Sequence, residues 1–138
     1  MNELWDLVVE NDIIGIKNYL LKLDMRERYD IINEYDYKTG ETILFQCTNV
    51  TVELLELLIQ YGVKVNHKDN NHNTCLHHLC INEADASLIK VLIKYNANLE
   101  LENKDNNTPL LCAPANIRSI YNEVITNWNI YIAENPHL

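Results

Sequence analysis

An internal repeat narrows the folds open to this sequence more than any other feature. The segment Thr74-Cys75-Leu76 aligns with Thr108-Pro109-Leu110, and Thr42-Ile43-Leu44 supplies a third copy. The three threonines are spaced by 32 and 34 residues, and residues 61–65 align with residues 95–99 in the same phase. A period of about 33 residues predicts small structural units that stack along one axis and share a core.

Each repeat has the apolar spacing of a helix and the polar composition of a turn. One buried helical stripe is predicted at Leu54, Leu55, Leu58 and Ile59, and the same spacing recurs at Leu88, Ile89, Leu92 and Ile93. Residues 66–73 and 102–107 are rich in asparagine and aspartate, which is typical of tight turns. The order within each unit is turn, helix, helix, so we expect an all-α fold.

The repeat resembles the ankyrin family, whose units contain Thr-Pro-Leu-His and end in an apolar helix followed by Gly-Ala. The matching segments are Gly40-Glu41-Thr42-Ile43-Leu44, Thr74-Cys75-Leu76-His77, Thr108-Pro109-Leu110 and Leu58-Ile59-Gln60-Tyr61-Gly62-Val63. The sequence departs from the family at His72, Asn96 and Asn106, which stand where glycine is usual. Asparagine tolerates a left-handed backbone better than other non-glycine residues, so His72 is the unusual substitution.

The resemblance implies a solenoid of about four helix-turn-helix units in a single domain. We expect an N-terminal cap at about residues 1–32, repeats at about 33–65 and 66–99, and a C-terminal cap repeat at about 100–138. The segment from Asp24 to Tyr35 is expected to be a long connection. A last helical stripe is predicted at Ile117, Ile120, Tyr121, Val124, Ile125 and Trp128.

Charge and composition limit the partners and the compartment. The net charge of −9 opposes binding to nucleic acid or anionic lipid and favours another protein, especially one with a basic surface. No apolar run is long enough to span a membrane, and the first residues lack the features of a secretory signal. The four scattered cysteines fit reduced thiols, so a cytoplasmic location is expected, in the host cytoplasm if the protein is viral.

The sequence predicts no catalytic site, cofactor or metal. One dense group of histidines and cysteines could attract zinc: His67, His72, Cys75, His77, His78 and Cys80. Its ligands are not paired as in structural zinc sites, and the resemblance assigns His77 to hydrogen bonds between neighbouring turns. The cysteines at 47, 80 and 112 fall at small buried positions, where a nucleophile is not expected.

The resemblance implies that a partner binds along the turn tips and the open face of the first helices. The candidates at the tips are Tyr37, Lys38, Glu41, His67, Lys68, Asn70, His72, Lys104, Asp105 and Asn106, and those on the first helices are Gln46 and His78. Asn66 follows Val65 in a pattern similar to the sites of asparaginyl hydroxylases, so hydroxylation is a second hypothesis, set against an ordinary turn asparagine.

We therefore expect a non-enzymatic protein-binding module, either a monomer or a weak homodimer that pairs through Trp128 and Tyr131. The asparagine, isoleucine and tyrosine bias, with residues 74–80, resembles ankyrin proteins of poxviruses and other large DNA viruses. That resemblance implies a pathogen protein that intercepts a host factor. The alternatives are an assembly chaperone or constitutive subunit of a complex, and a zinc-stabilised domain.

Overall fold

The computed structural model describes residues 2–137 and is built of helices. The α-helices are α1 (Glu3–Val9), α2 (Ile13–Leu21), α3 (Met25–Ile32), α4 (Val52–Gln60), α5 (Cys75–Ile81), α6 (Ala86–Lys94) and α7 (Ala115–Glu134). Two 3₁₀ helices span Ile43–Asn49 and Leu110–Cys112. Within residues 2–137 there is no β-strand, and the one isolated bridge joins Tyr35 and Thr42. The all-α fold is confirmed.

The helices form two layers that run along the stack. In the first layer, α1 contacts the 3₁₀ helix Ile43–Asn49, which packs on α5, and α5 packs on the 3₁₀ helix Leu110–Cys112. In the second layer, α4 packs on α6 and α6 on α7. One continuous core runs between the layers, from Leu4 near the start of the chain to Tyr121 in α7. Each unit buries its apolar face against its neighbours, as expected for a solenoid.

Short polar side chains set the start of most of the helices. An oxygen of the residue before each helix accepts a backbone N–H of the first turn at Asn2, Asp12, Asp24, Thr51, Thr74 and Asp85. These bonds satisfy N–H groups that have no partner within the helix, and each stabilises its helix by about 1 kcal/mol.

The expected long connection between Asp24 and Tyr35 is wrong, because α3 occupies most of it. Asp24 and Glu27 form a reciprocal capping box, in which each side chain accepts the other residue's backbone N–H at 2.8 and 3.0 Å. Arg28 then donates from Nε to the Leu20 carbonyl oxygen at 3.1 Å and so holds α3 against α2. The segment expected to form the N-terminal cap therefore contains three helices.

The C-terminal helix is much longer than the helix on which it packs. Helix α7 has 20 residues and α6 has nine. Of the predicted stripe, Tyr121 and Ile125 are buried, whereas Ile120 is exposed and Trp128 is half-buried and stacks on Tyr131. Among the residues described, no helix has both the length and the apolar character that a membrane span requires.

Candidate protein-binding surface

Three turns at one edge of the stack are each held by the side chain of an aspartate or asparagine. Asp36 Oδ1 accepts the Lys38 N–H at 2.7 Å, and Asp69 Oδ1 accepts the N–H groups of Asn71 and Asn73, both at 2.9 Å. In the third turn Asn103 Oδ1 accepts the backbone N–H groups of residues 105 and 107, both at 3.0 Å. These three residues were not predicted from the sequence, although their matching positions in the three polar turns are a readable signal.

The first turn is one residue longer than the other two. Asp36 N–H donates to the carbonyl oxygen of Glu41, five residues on, whereas the N–H groups of Asp69 and Asn103 donate to carbonyls four residues on. The extra residue explains why the threonines at 42 and 74 are only 32 residues apart. A left-handed residue closes each turn, namely Gly40, His72 and Asn106.

Hydrogen bonds join the tips of neighbouring turns into one edge. Asn70 donates from its backbone to the Thr39 carbonyl at 2.9 Å and from Nδ2 to the Lys38 carbonyl at 3.0 Å. Lys104 N–H donates to the Asn71 carbonyl at 3.1 Å. Lys68 Nζ reaches the carbonyl of Glu102 at 3.4 Å, and Asp105 and Asn106 are exposed in the third turn. The predicted tip residues therefore lie in one connected row.

An aromatic cluster lies at the first-turn end of this row. Tyr37 is 89% exposed, and its ring meets the Tyr35 ring edge-on at 5.6 Å. The His67 ring is 6.0 Å from Tyr35, and its Nε2 lies 2.7 Å from the Gly40 carbonyl oxygen. The ring of buried Phe45 packs edge-on against His67 and against His78. Tyr35 and Phe45 were not predicted, because neither stands at a tip or at an exposed first-helix position in the phase of the repeat.

His78 joins the first helix of its repeat to two turns. Its Nε2 lies 2.9 Å from Asp69 Oδ2 and 3.9 Å from Glu41 Oε1. Gln46 occupies the equivalent position one repeat earlier and is half-buried. Thus Glu41 and His78, both predicted site residues, come together around Asp69.

Asn66 holds the next repeat. Its Nδ2 donates to the Asn96 carbonyl at 3.3 Å, and its Oδ1 accepts the Asn98 N–H at 2.8 Å. Asn33 makes the same pair of bonds to the carbonyl of Gly62 and the N–H of Lys64. Asn66 is exposed, so its hydroxylation stays a prediction beside this structural role.

A family model of three ankyrin repeats matches residues 44–126, which is more than half of the chain. The chain belongs to the ankyrin-repeat family. It is similar to an ankyrin repeat protein of Acanthamoeba polyphaga mimivirus, with 31% identity over 72 residues. That match covers 51% of this chain and 17% of the mimivirus protein, so the chain spans about a sixth of its relative.

The ankyrin repeat domain of Bcl-3, described as a member of the IkappaB protein family, has a similar structure. The TM-score is 0.73 at 24% identity, over 91% of this chain and 50% of that one. At this identity the likeness bears on the fold alone. Ankyrin repeats in general bind other proteins and are typically not enzymes.

The histidines and cysteines that were weighed as zinc ligands and set aside do not gather at one point in this ankyrin stack. His77 Nδ1 accepts the Thr74 N–H at 3.0 Å, and its Nε2 lies 2.9 Å from the Asn107 carbonyl in the next turn, as the resemblance implied. Burial raises the pKa of Cys75 well above its ordinary value and that of Cys80 to about 12. In the part of the chain described, the side chains that could converge on a metal are Glu41, Asp69 and His78.

Proposed function

We propose that this chain binds another protein through the connected row of turn tips and the adjoining face of the first helices, and that it has no catalytic activity. The observation that carries the proposal is the aromatic cluster, with Tyr37 almost fully exposed at its edge. Exposed tyrosines supply large contact area with a polar end, and such residues dominate the energetics of interfaces.

The row of tips is suited to binding because its backbone is already ordered. Asn70 fixes the first turn to the second, and Lys104 fixes the second to the third. A partner that binds this edge loses less conformational entropy than it would on three independent loops. Predicted contacts therefore extend from Tyr37 to Asn106 along one edge.

The cysteines support a non-enzymatic role. Cys47, Cys75 and Cys80 are buried, and burial also raises the pKa of half-buried Cys112. The thiolate is the nucleophilic form, so a buried thiol with a raised pKa reacts poorly at neutral pH. The net charge of −9 favours a partner with a basic surface, because opposite charges speed association.

The similarity to a mimivirus protein supports a viral setting, in which the chain would act in the host cytoplasm and intercept a host protein. The rival function is a constitutive subunit or assembly chaperone of a complex. A constitutive subunit would co-purify with one complex at fixed stoichiometry, whereas a module that intercepts a host protein would bind and release it reversibly.

Replacement of Tyr37 by a photo-crosslinking phenylalanine analogue tests the surface. We expect adducts with one partner protein, identified by mass spectrometry, and few adducts from a matched variant at Tyr131, an exposed tyrosine of α7. With that partner purified, Tyr37→Ala should weaken binding about tenfold or more, with the melting temperature nearly unchanged.

Tyr131→Ala serves as the control for loss of an exposed tyrosine and should bind like the wild type. If Tyr37→Ala binds as the wild type does while Tyr131→Ala fails to bind, the partner sits on the C-terminal helix and the proposed surface is wrong.

A further inference from the structure

Three side chains that can bind a cation meet where the first turn, the second turn and α5 come together. Asp69 Oδ2 and Glu41 Oε1 lie 2.9 and 3.9 Å from His78 Nε2. The three ligand atoms all lie within 4.8 Å of one another. Asp69 and His78 belong to one repeat, and Glu41 of the preceding repeat joins them because the repeats stack.

Asp69 is buried, with 6% of its surface exposed, and its carboxylate is fixed in orientation. Oδ1 is occupied by the N–H groups of Asn71 and Asn73, so Oδ2 is left to face His78 and Glu41. A buried carboxylate is costly unless a positive charge or a metal ion compensates it. One fixed ligand oxygen is therefore already in place.

The next junction along the stack shows that the fold itself does not require these charges. Asn73, Asn103 and Cys112 occupy the positions of Glu41, Asp69 and His78 there. Asn103 Nδ2 donates to Asn73 Oδ1 at 2.9 Å and to the Cys112 sulfur at 3.7 Å. At the first junction carboxylates replace both amides, and two ionised carboxylates repel each other and cannot form that hydrogen bond. The first junction therefore gathers two carboxylates and an imidazole, where the second junction has neutral amides and a thiol.

We propose that Glu41, Asp69 and His78 bind one divalent transition-metal ion of the zinc type through their two carboxylates and the imidazole Nε2. An imidazole nitrogen with two carboxylates suits zinc and its neighbours, whereas calcium and magnesium prefer oxygen ligands alone. The Phe45 ring packs nearly perpendicular to the His78 ring, with centroids 5.0 Å apart, and so restricts rotation of the imidazole. The group of histidines and cysteines set aside in the sequence analysis shares only His78 with this site.

The site opens onto the proposed binding surface. The side chains of His78 and Glu41 are 23% and 28% exposed, so solvent or another protein can reach the metal. Three protein ligands leave a fourth tetrahedral position free. A histidine or carboxylate of a partner could fill that position, but binding of the ion itself does not depend on the partner.

Calorimetric titration of the full chain with zinc chloride, after treatment with a chelator, tests the proposal. We expect saturable binding of one Zn²⁺ per chain at pH 7.5. Cobalt substitution should give visible bands of a nitrogen and oxygen site. A strong near-ultraviolet charge-transfer band would show thiolate ligands and overturn the assignment, as would the absence of saturable binding.

The double variant Glu41→Asn, Asp69→Asn copies the neutral junction of Asn73 and Asn103 and should therefore fold. Its affinity for Zn²⁺ should fall about tenfold or more, with its circular dichroism unchanged. His72→Asn removes an exposed imidazole outside the site and should bind like the wild type. Equal affinity of the double variant and the wild type would overturn the site.

Discussion

Thr42 and Thr74 occupy the same place in successive repeats, but their hydroxyl groups have different surroundings. Thr74 Oγ1 accepts the His77 N–H, and the Thr74 N–H donates to His77 Nδ1 at 3.0 Å, which completes a capping box. In the first repeat Phe45 stands where His77 stands in the second. The buried Oγ1 of Thr42 has no hydrogen-bond partner among residues 2–137. The threonine hydroxyl therefore stabilises the second repeat and destabilises the first.

Substitution with valine, which has the same shape, should separate the two cases. We expect Thr42→Val to raise the free energy of unfolding by about 1 kcal/mol, because it removes a buried polar group without a partner. Thr74→Val should lower it by about 1 to 2 kcal/mol through loss of the cap. Urea denaturation of both variants measures the difference, and equal destabilisation by the two changes would contradict the argument.

His72 is held in a left-handed conformation, with φ 60°, at a position where its family prefers glycine. His72→Gly should therefore stabilise the protein by about 0.5 to 1 kcal/mol, a balance between relief of the left-handed strain and the greater freedom of glycine in the unfolded chain. The thermal midpoint measures this change.

Gly40→Ala is the converse control, because an added Cβ would lie 2.5 Å from Asn70 Oδ1 and 2.7 Å from the Asn70 nitrogen. It should destabilise the protein. A loss of stability in His72→Gly would show that the imidazole contributes more than the strain costs.

At the scale of the element, His77 ties the start of α5 to the following turn, and this tie requires a neutral ring. Nδ1 accepts a backbone N–H, so the proton sits on Nε2, which donates to the Asn107 carbonyl. Burial lowers the pKa of His77, and the bond to Asn107 opposes the shift only in part. If Nδ1 were protonated, its N–H would face the Thr74 backbone N–H, and the hydrogen bond that caps α5 would be lost.

The free energy of unfolding should therefore depend on pH through the His77 side chain that caps α5. Because the folded state lowers the pKa of His77, its contribution is complete above the unfolded value of about 6.5 and is lost as pH falls through the lowered pKa. We expect the midpoint of thermal unfolding to drop between pH 7.5 and 5. His77→Gln keeps a capping side chain that does not titrate and should show a smaller drop. An identical drop in both proteins would assign the effect to other groups.

The long apolar stripes of α4 and α6 could be predicted because helical spacing persists over nine residues in each. Helix α3 was missed because its residues are mostly polar, although its capping pair, Asp24 and Glu27, was a readable signal. The turns at residues 66–73 and 102–107 could be predicted from composition, and the tip residues were chosen by their phase in the ankyrin repeat. The meeting of Glu41, Asp69 and His78 was not predicted, since Asp69 was not chosen as a site residue and the contact of Glu41 with the other two depends on how adjacent repeats pack.

At the scale of the whole molecule, the single core from Leu4 to Tyr121 predicts cooperative unfolding. No unit can bury its apolar face alone, so in a stack this short the N-terminal and C-terminal helices should unfold in the same transition. In Trp128→Phe the fluorescence of buried Trp5 reports only on the N-terminal cap. Its urea midpoint should coincide with that of helical circular dichroism, and an earlier midpoint for Trp5 would show that the cap unfolds on its own.

Asn33 and Asn66 present the same donor and acceptor to the repeat that follows, and each is met by the same two backbone groups. The two successive units therefore present the same hydrogen-bonding groups at this contact with the repeat that follows. A duplicated copy of residues 33–65, placed in tandem, would find matching groups on both of its sides. Duplication of the DNA that encodes one repeat can therefore lengthen the stack without any new residues at the contacts between repeats.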